Sequence, residues 1–150
     1  MSTPTIQIIR LQHSDVPLFQ DLLILLNEVF ECDDQKQPSE NYLKSLLAKE
    51  DFVAFVLLVD NKVMGGLTAY ILAKYYSEGS ELYIYDLAID PEMQRQGLAT
   101  QLLEQVKKYC KTQDIHSMFV DAHEEDLHAL EFYRITGGKG EKVLLFNYDL

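Results

Sequence analysis

Tyr85-Asp86-Leu87-Ala88-Ile89-Asp90-Pro91-Glu92-Met93-Gln94-Arg95-Gln96-Gly97-Leu98-Ala99-Thr100 passes from strand composition to helix composition, and the fold turns on the loop between them. Glu81–Ile89 reads as a central strand, rich in aromatic and aliphatic residues. Pro91 shapes a turn, and Gly97 stands where a long helix begins. The first N–H groups of that helix have no intrahelical partner and sit at the positive end of its dipole. They form a phosphate site if the chain can be approached closely. Small Gly97 and Ala99 permit the approach, and Arg95 adds a charge. There is no Gly-Lys-Ser/Thr, so this is no P-loop. The three glycines and following acidic residue of a dinucleotide fold are absent too.

Working outward, the helix covers Ala99–Lys111 and buries Leu102, Leu103, Val106 and Cys110. A strand is predicted over Ser117–Asp121, a helix over Asp126–Ile135 ended by Gly137-Gly138, and a final strand over Lys142–Asp149. Upstream, a first strand spans Thr5–Leu11. Ser14 is its helix-starting cap and Pro17 suits the first turn. Phe19, Leu22, Leu23, Leu26, Val29 and Phe30 then recur at helical spacing. A second helix from Ser39 places Tyr42, Leu43, Leu46 and Leu47 on the core. Phe52–Val59 and Val63–Lys74 are strands joined by Asp60-Asn61-Lys62. Gly65-Gly66 marks a bulge or a close backbone approach, and Tyr75–Ser80 is a hairpin loop. One mixed α/β domain over residues 1–150 accounts for this order.

The 150 residues suffice for a core without disulfides or metals. No apolar run approaches the roughly 20 residues of a membrane span, and the start, Met1-Ser2-Thr3-Pro4, does not read as a secretory signal. Cys32 and Cys110 are far apart and lack metal-ligand spacing, so free thiols in a reducing cytoplasm are expected. His123 and His128, five apart, do not share a helical face, and no metal is expected. The net charge of -11 argues against nucleic acid and against anionic membranes. It suits a cationic small molecule, although acidity alone serves solubility equally well.

Gln94-x-x-Gly97-x-Ala99 after a strand resembles the Gln/Arg-x-x-Gly-x-Gly/Ala signature of the GNAT superfamily of N-acetyltransferases. Ala129-x-x-Phe132-Tyr133-x-x-x-Gly137 resembles that family's second motif, and the element order βααβββαβαβ matches over essentially the whole chain. The resemblance implies an α/β (α+β) fold, a mixed and mostly antiparallel sheet with a β-bulge and helices on both faces. Its central strands would splay between Glu81–Ile89 and Ser117–Asp121. It also implies acetyl-CoA as acetyl donor. Amides of the pantetheine arm would pair with Leu87, Ala88 and Ile89 as an added strand does. The pyrophosphate would meet the N–H groups of Gln96, Gly97, Leu98, Ala99 and Thr100 and the Arg95 side chain, with Gln94 part of the same loop. The N–H of Leu87 or Ala88 would polarise the thioester carbonyl. Asp126 and Ala129 would also contact the cofactor, Asp126 standing where many members have Asn.

Within that family, Ser80–Ile89, Arg95–Thr100, Thr68–Lys74 and Gln37–Leu43 resemble the type I aminoglycoside 3-N-acetyltransferases, whereas His123–His128 departs from them. The resemblance implies a polycationic acceptor, an aminoglycoside, held by carboxylates. Candidates are Glu31, Asp33 and Asp34 after the first helix, Glu81, Tyr85 and Asp86 on the central strand, and Asp121, Glu124 and Glu125 beyond the next strand. An attacking amine must first lose a proton, which a carboxylate can accept directly or through water. Asp86 is the first choice as base or ammonium anchor, with Asp121, Glu124 and Glu125 as alternatives. Tyr133 matches the tyrosine that faces the CoA sulfur in many members and can protonate the departing thiolate. Cys110 on an apolar stripe and Cys32 without a base argue for direct attack in a ternary complex. Relatives are commonly dimers, so a homodimer is expected by analogy. Two other readings stay open: acetylation of a polyamine or similar cationic amine, and a non-catalytic CoA-binding module.

Overall fold

A computed structural model of the chain describes residues 2–32 and 36–150. They form two compact units, Met1–Val120 and Asp121–Leu150.

The first unit is a sheet covered on both faces. Its elements are β1 (Ile6–Arg10), α1 (Val16–Val29), α2 (Glu40–Leu47), β2 (Phe52–Val59), β3 (Lys62–Ala73), β4 (Ser80–Ile89), a 3-10 turn (Pro91–Met93), α3 (Leu98–Thr112) and β5 (Ile115–Val120). Strand order follows chain order; neighbours from β1 to β4 are antiparallel, while β5 lies parallel to β4 across the α3 crossover. This is the expected mixed, mostly antiparallel sheet.

β2 reads FVAFVLLV without alternation because both its faces are covered. Phe52, Ala54, Val56 and Leu58 join Phe19, Leu22, Leu25 and Leu26 of α1 and Leu43 and Leu47 of α2 in one core. The other face receives α3, whose Leu98, Leu102, Leu103, Val106 and Cys110 are buried. Phe55 of β2 meets Tyr109 of α3 edge-on at 5.6 Å, and the Arg10 guanidinium lies 5.0 Å from the centroid of the same ring. Each fully buried Leu, Val or Phe stabilises the fold by roughly 1.5–3 kcal/mol relative to exposure.

Gly65 and Gly66 mark a close approach, and the bulge falls beside them at Met64, which has no β2 partner. The β2–β3 register shifts between Leu57 and Leu58, opposite Gly65 and Val63. A Cβ on Gly66 would come within 2.4 Å of the Phe55 carbonyl oxygen and 2.5 Å of Leu22 Cδ1, so α1 packs down onto bare backbone there.

Several expectations need correction. The residue capping α1 is Asp15, not Ser14, and its carboxylate accepts from Gln12 N–H at 2.7 Å instead of capping the helix. Ser39 does cap α2, accepting from Tyr42 N–H at 3.2 Å. Tyr42 and Phe30, assigned to the core by spacing, are exposed, and Leu25 is buried in their stead. The stripe on α1 is narrower than its apolar composition because the sheet covers only one side of that helix.

The second unit holds α4 (Leu127–Ile135), whose N-cap Asp126 accepts from Ala129 N–H at 3.0 Å. Gly137, at φ +104°, donates to the Arg134 carbonyl, and Gly138 donates to that of Tyr133. The strand expected over Lys142–Asp149 does not form. A segment that pairs with no other strand leaves its apolar side chains outside any sheet core, whatever its composition. Val143, Leu144, Leu145, Phe146 and Tyr148 are therefore each at least 74% exposed.

Candidate active site

β4 carries the feature on which the site depends. Its partner on β3 is Ala69 for Ile84 but Thr68 for Asp86, so Tyr85 is an extra residue with no counterpart. Such a bulge bends the strand and re-aims its side chains. On the other side, parallel pairing with β5 runs only as far as Ile84 opposite Val120. Beyond that point Leu87, Ala88 and Ile89 pair with Leu67, Gly66 and Gly65 of β3 and have no β5 partner. The sheet thus opens where β4 continues and β5 stops, and a strip of β4 backbone can accept an added strand.

Four hydrogen bonds hold the loop after β4, one of them from Met93 N–H to the Asp90 carbonyl at 2.8 Å. Asp90 N–H donates to the Met64 carbonyl at 2.8 Å. The Asp90 carboxylate accepts from Glu92 N–H at 2.9 Å. Gln94 Nε2 donates to the Ile89 carbonyl at 3.0 Å, so this side chain ties the end of β4 to the start of the loop. Arg95, at φ +62°, and Gly97, at φ +78°, turn the chain into α3 through left-handed conformations. A Cβ on Gly97 would meet nothing within 4 Å, so its side of the backbone is open. The backbone N–H groups at the start of the 15-residue α3 follow at once. The Leu98 side chain is buried in the core, which leaves only its backbone N–H to face the turn. Arg95, Gln96 and Thr100 are exposed, and Ala99 is half-buried.

Asp86 sits at the bulge opposite Thr68, the only buried polar side chain among the described residues. Half-burial pushes its carboxyl pKa up, because removal from water disfavours the charged form. A carboxylate raised toward neutrality is a better proton acceptor than an exposed one. Near it lies Tyr70, whose hydroxyl is pushed up by burial and further by Tyr85, Tyr42, Asp86 and Asp51. Tyr70, Tyr42 and Asp51 escaped sequence reasoning. The signal lay in strand register, which places Tyr70 opposite both Phe52 and Tyr83.

Glu81 is half-buried on β4, opposite Leu72 of β3 and Ser117 of β5. Glu31 is exposed just past α1, at φ +56°. Asp33 and Asp34 lie outside the described residues. Asp121, Glu124, Glu125, Asp126, Ala129 and Tyr133 belong to the second unit. There Glu124 forms a 3.7 Å ion pair with Lys142, both side chains at least 85% exposed, a surface pair that contributes little. Tyr133 is half-buried and contacts Phe132 edge-on at 5.2 Å.

Neither cysteine forms a disulfide. Burial raises the Cys110 thiol pKa, which lowers its thiolate fraction and leaves it a poor nucleophile. Among the described residues, no three His, Cys, Asp or Glu side chains gather to hold a metal ion. No helix among them is long and apolar enough to cross a membrane.

The open β4 edge and the phosphate-ready turn fit acetyl-CoA, an extended amide-bearing arm ending in a pyrophosphate. Comparison with known proteins agrees. The acetyltransferase (GNAT) family model matches residues 19–137. Among solved structures, the chain is similar to an aminoglycoside acetyltransferase, meta-AAC0020, from an uncultured soil metagenomic sample. That enzyme's complex with trehalose superposes with a TM-score of 0.94 at 40% identity, covering 97% of this chain and 96% of that one. Its complex with sisomicin gives a TM-score of 0.94 at 39% identity, with coverage of 97% and 96%. A second soil metagenomic aminoglycoside acetyltransferase, HMB0005, gives a TM-score of 0.90 at 33% identity over 97% of this chain and 99% of that one. No curated protein sequence matches significantly. The chain belongs to the acetyltransferase (GNAT) family and is an acetyl-CoA-dependent N-acetyltransferase.

Proposed function

We propose that this enzyme acetylates aminoglycosides on the 3-amino group of their 2-deoxystreptamine ring, thereby conferring resistance to these antibiotics. One observation carries the acceptor reading: a half-buried carboxylate, Asp86, is set by a bulge at the point where the β4 edge becomes free. The aminoglycoside acetyltransferases similar to this chain, one of them solved with sisomicin, support the choice of amine. The net charge of -11 favours approach of a polycation.

Acetyl-CoA supplies the acetyl group as an activated thioester. The backbone of Leu87, Ala88 and Ile89 holds the pantetheine arm, and the Leu87 or Ala88 N–H polarises the thioester carbonyl. The turn Gln94–Thr100 receives the pyrophosphate on its N–H groups, with Arg95 adding its charge. Asp126 and Ala129 are further contacts; the Asp126 carboxylate is already engaged as a helix cap. Asp86 accepts the proton of the incoming ammonium, and Tyr133 returns one to the departing thiolate. For the acceptor's other ammonium groups the candidates are Glu31, Glu81 and Tyr85 in the first unit and Asp121, Glu124 and Glu125 in the second, with Asp33 and Asp34 outside the described residues. The amine attacks directly, since the buried Cys110 is not a usable nucleophile.

The whole chain acts as one acetyltransferase domain, for the family match runs through both units. It works as a homodimer in the cytoplasm. The exposed apolar run from Val143 to Tyr148 is the kind of surface a second copy covers.

An acceptor panel with mass spectrometry of the products tests the proposal. Gentamicin-like drugs should be acetylated once, on the 3-amino group. Modification at another amine would refute the regiochemistry. Faster turnover of polyamines, or none with any drug, would refute the acceptor.

A further inference from the structure

The strand register builds a row of rings that no sequence motif announces. Phe52 of β2 lies opposite Tyr70 of β3, Tyr70 opposite Tyr83 of β4, and Tyr83 opposite Phe119 of β5. The bulged Tyr85 stands beside the row. Ring centroids are 5.3 Å apart for Phe52 and Tyr70, 5.9 Å for Tyr70 and Tyr85, and 5.8 Å for Tyr83 and Tyr85. Tyr83 and Phe119 stack in parallel at 4.7 Å. Three strand spacings of about 4.8 Å make the row roughly 14 Å long, the scale of a short oligosaccharide.

One end is sealed, Tyr83 is half-buried, and the other three rings are open. Phe52 is 4% exposed, whereas Tyr70, Tyr85 and Phe119 are 37%, 59% and 40% exposed. Carboxylates flank the rings: Asp86 and Asp51 act on Tyr70. Glu81 lies two residues before Tyr83, on the same face of β4. Aromatic faces attract ammonium groups and lie flat against the C–H faces of sugar rings, so rings and carboxylates together match a cationic sugar.

We propose that this aromatic row is the platform on which the sugar rings of the acceptor lie, and that it makes the enzyme prefer a cyclic aminoglycoside to a linear polyamine. The inference rests on the aminoglycoside reading above, and extends it to Tyr70, Tyr83 and Phe119. Carboxylates alone would hold any polycation. A linear polyamine has the charges but no ring to lay on the platform.

Calorimetric titration of sisomicin and of spermine into the full-length protein tests this without requiring turnover. Phe119→Leu and Tyr85→Leu should each weaken sisomicin binding roughly 2–30-fold, the size of one ring–cation contact. Spermine binding should weaken distinctly less, and Tyr85→Phe, which keeps the ring, should hold sisomicin nearly as the parent does. Unchanged acetyl-CoA affinity in the Leu variants will report an intact fold. Equal weakening of both ligands, undiminished sisomicin binding in the Leu variants, or no sisomicin binding by the parent would overturn the platform. If the parent binds sisomicin without acetylating it, the transfer reading falls while the variants still measure the platform.

Discussion

Gly97→Ala perturbs the cofactor turn in a way that separates strain from binding. Gly97 has φ +78°, a left-handed conformation in which a Cβ crowds the following carbonyl oxygen. The cost is about 1–2 kcal/mol per residue. No other atom lies within 4 Å of that Cβ, so no packing clash adds to it. For a chain of this length each kcal/mol lowers Tm by about 2–4 °C, so a fall of roughly 2–8 °C is expected in a thermal scan. In the proposed binding mode, the same open space is where phosphate oxygens approach the N–H groups of the turn. Losing one charge-assisted hydrogen bond costs about 1.5–3 kcal/mol, or roughly 10- to 150-fold in the Kd of acetyl-CoA. Gly97→Asn provides the second arm, since Asn tolerates left-handed backbone. It should recover most of the lost Tm yet still bind acetyl-CoA poorly, as measured by calorimetry. Parent-like affinity in both variants would show that the turn does not hold the pyrophosphate. An unchanged Tm in Gly97→Ala would show that the left-handed requirement is wrong.

Asp86→Asn should cut kcat by roughly 10²–10⁴-fold, the usual contribution of a general base, while acetyl-CoA affinity stays within about twofold; equal turnover would remove Asp86 from the mechanism. Burial raises the folded-state pKa of Asp86, so its contribution to stability is fully present below the unfolded pKa and lost as pH rises through the folded one. Asp86→Asn should therefore gain in Tm relative to the parent on going from acidic to neutral pH, and the acid limb of the pH–rate profile should change with it. Leu102→Ala, at a position 0% exposed beneath the sheet, should cost about 2–5 kcal/mol in urea unfolding. Leu145→Asp with Phe146→Asp should convert a dimer to monomer in analytical ultracentrifugation; a parent protein already monomeric would refute the dimer.

Much of the fold was legible because its signals are local. Ser39 before α2, Pro17 in the first turn of α1 and Gly97 before α3 act on neighbours within a few residues, and each stands where its chemistry requires. Tyr42 misled because helical spacing shows which residues share a face but not how far the sheet extends beneath it. Lys142–Asp149 misled for a related reason. Strand composition describes a readiness to pair, and pairing needs an edge. The register of β3 against β4 could not be read from either strand, because a single extra residue, Tyr85, shifts everything after it.

By itself, then, the sequence determined the turn from Gln94 to Thr100, the small glycine within it and the helix that follows, since these depend on bonds and torsions between adjacent residues. Only the tertiary structure decided that β5 stops pairing at Val120, that Asp86 is half-buried beside the free stretch of β4, and that four rings align across four strands. Those features join residues as far apart as Phe52 and Phe119. Their placement comes from hydrogen-bond register and burial, which no local pattern encodes.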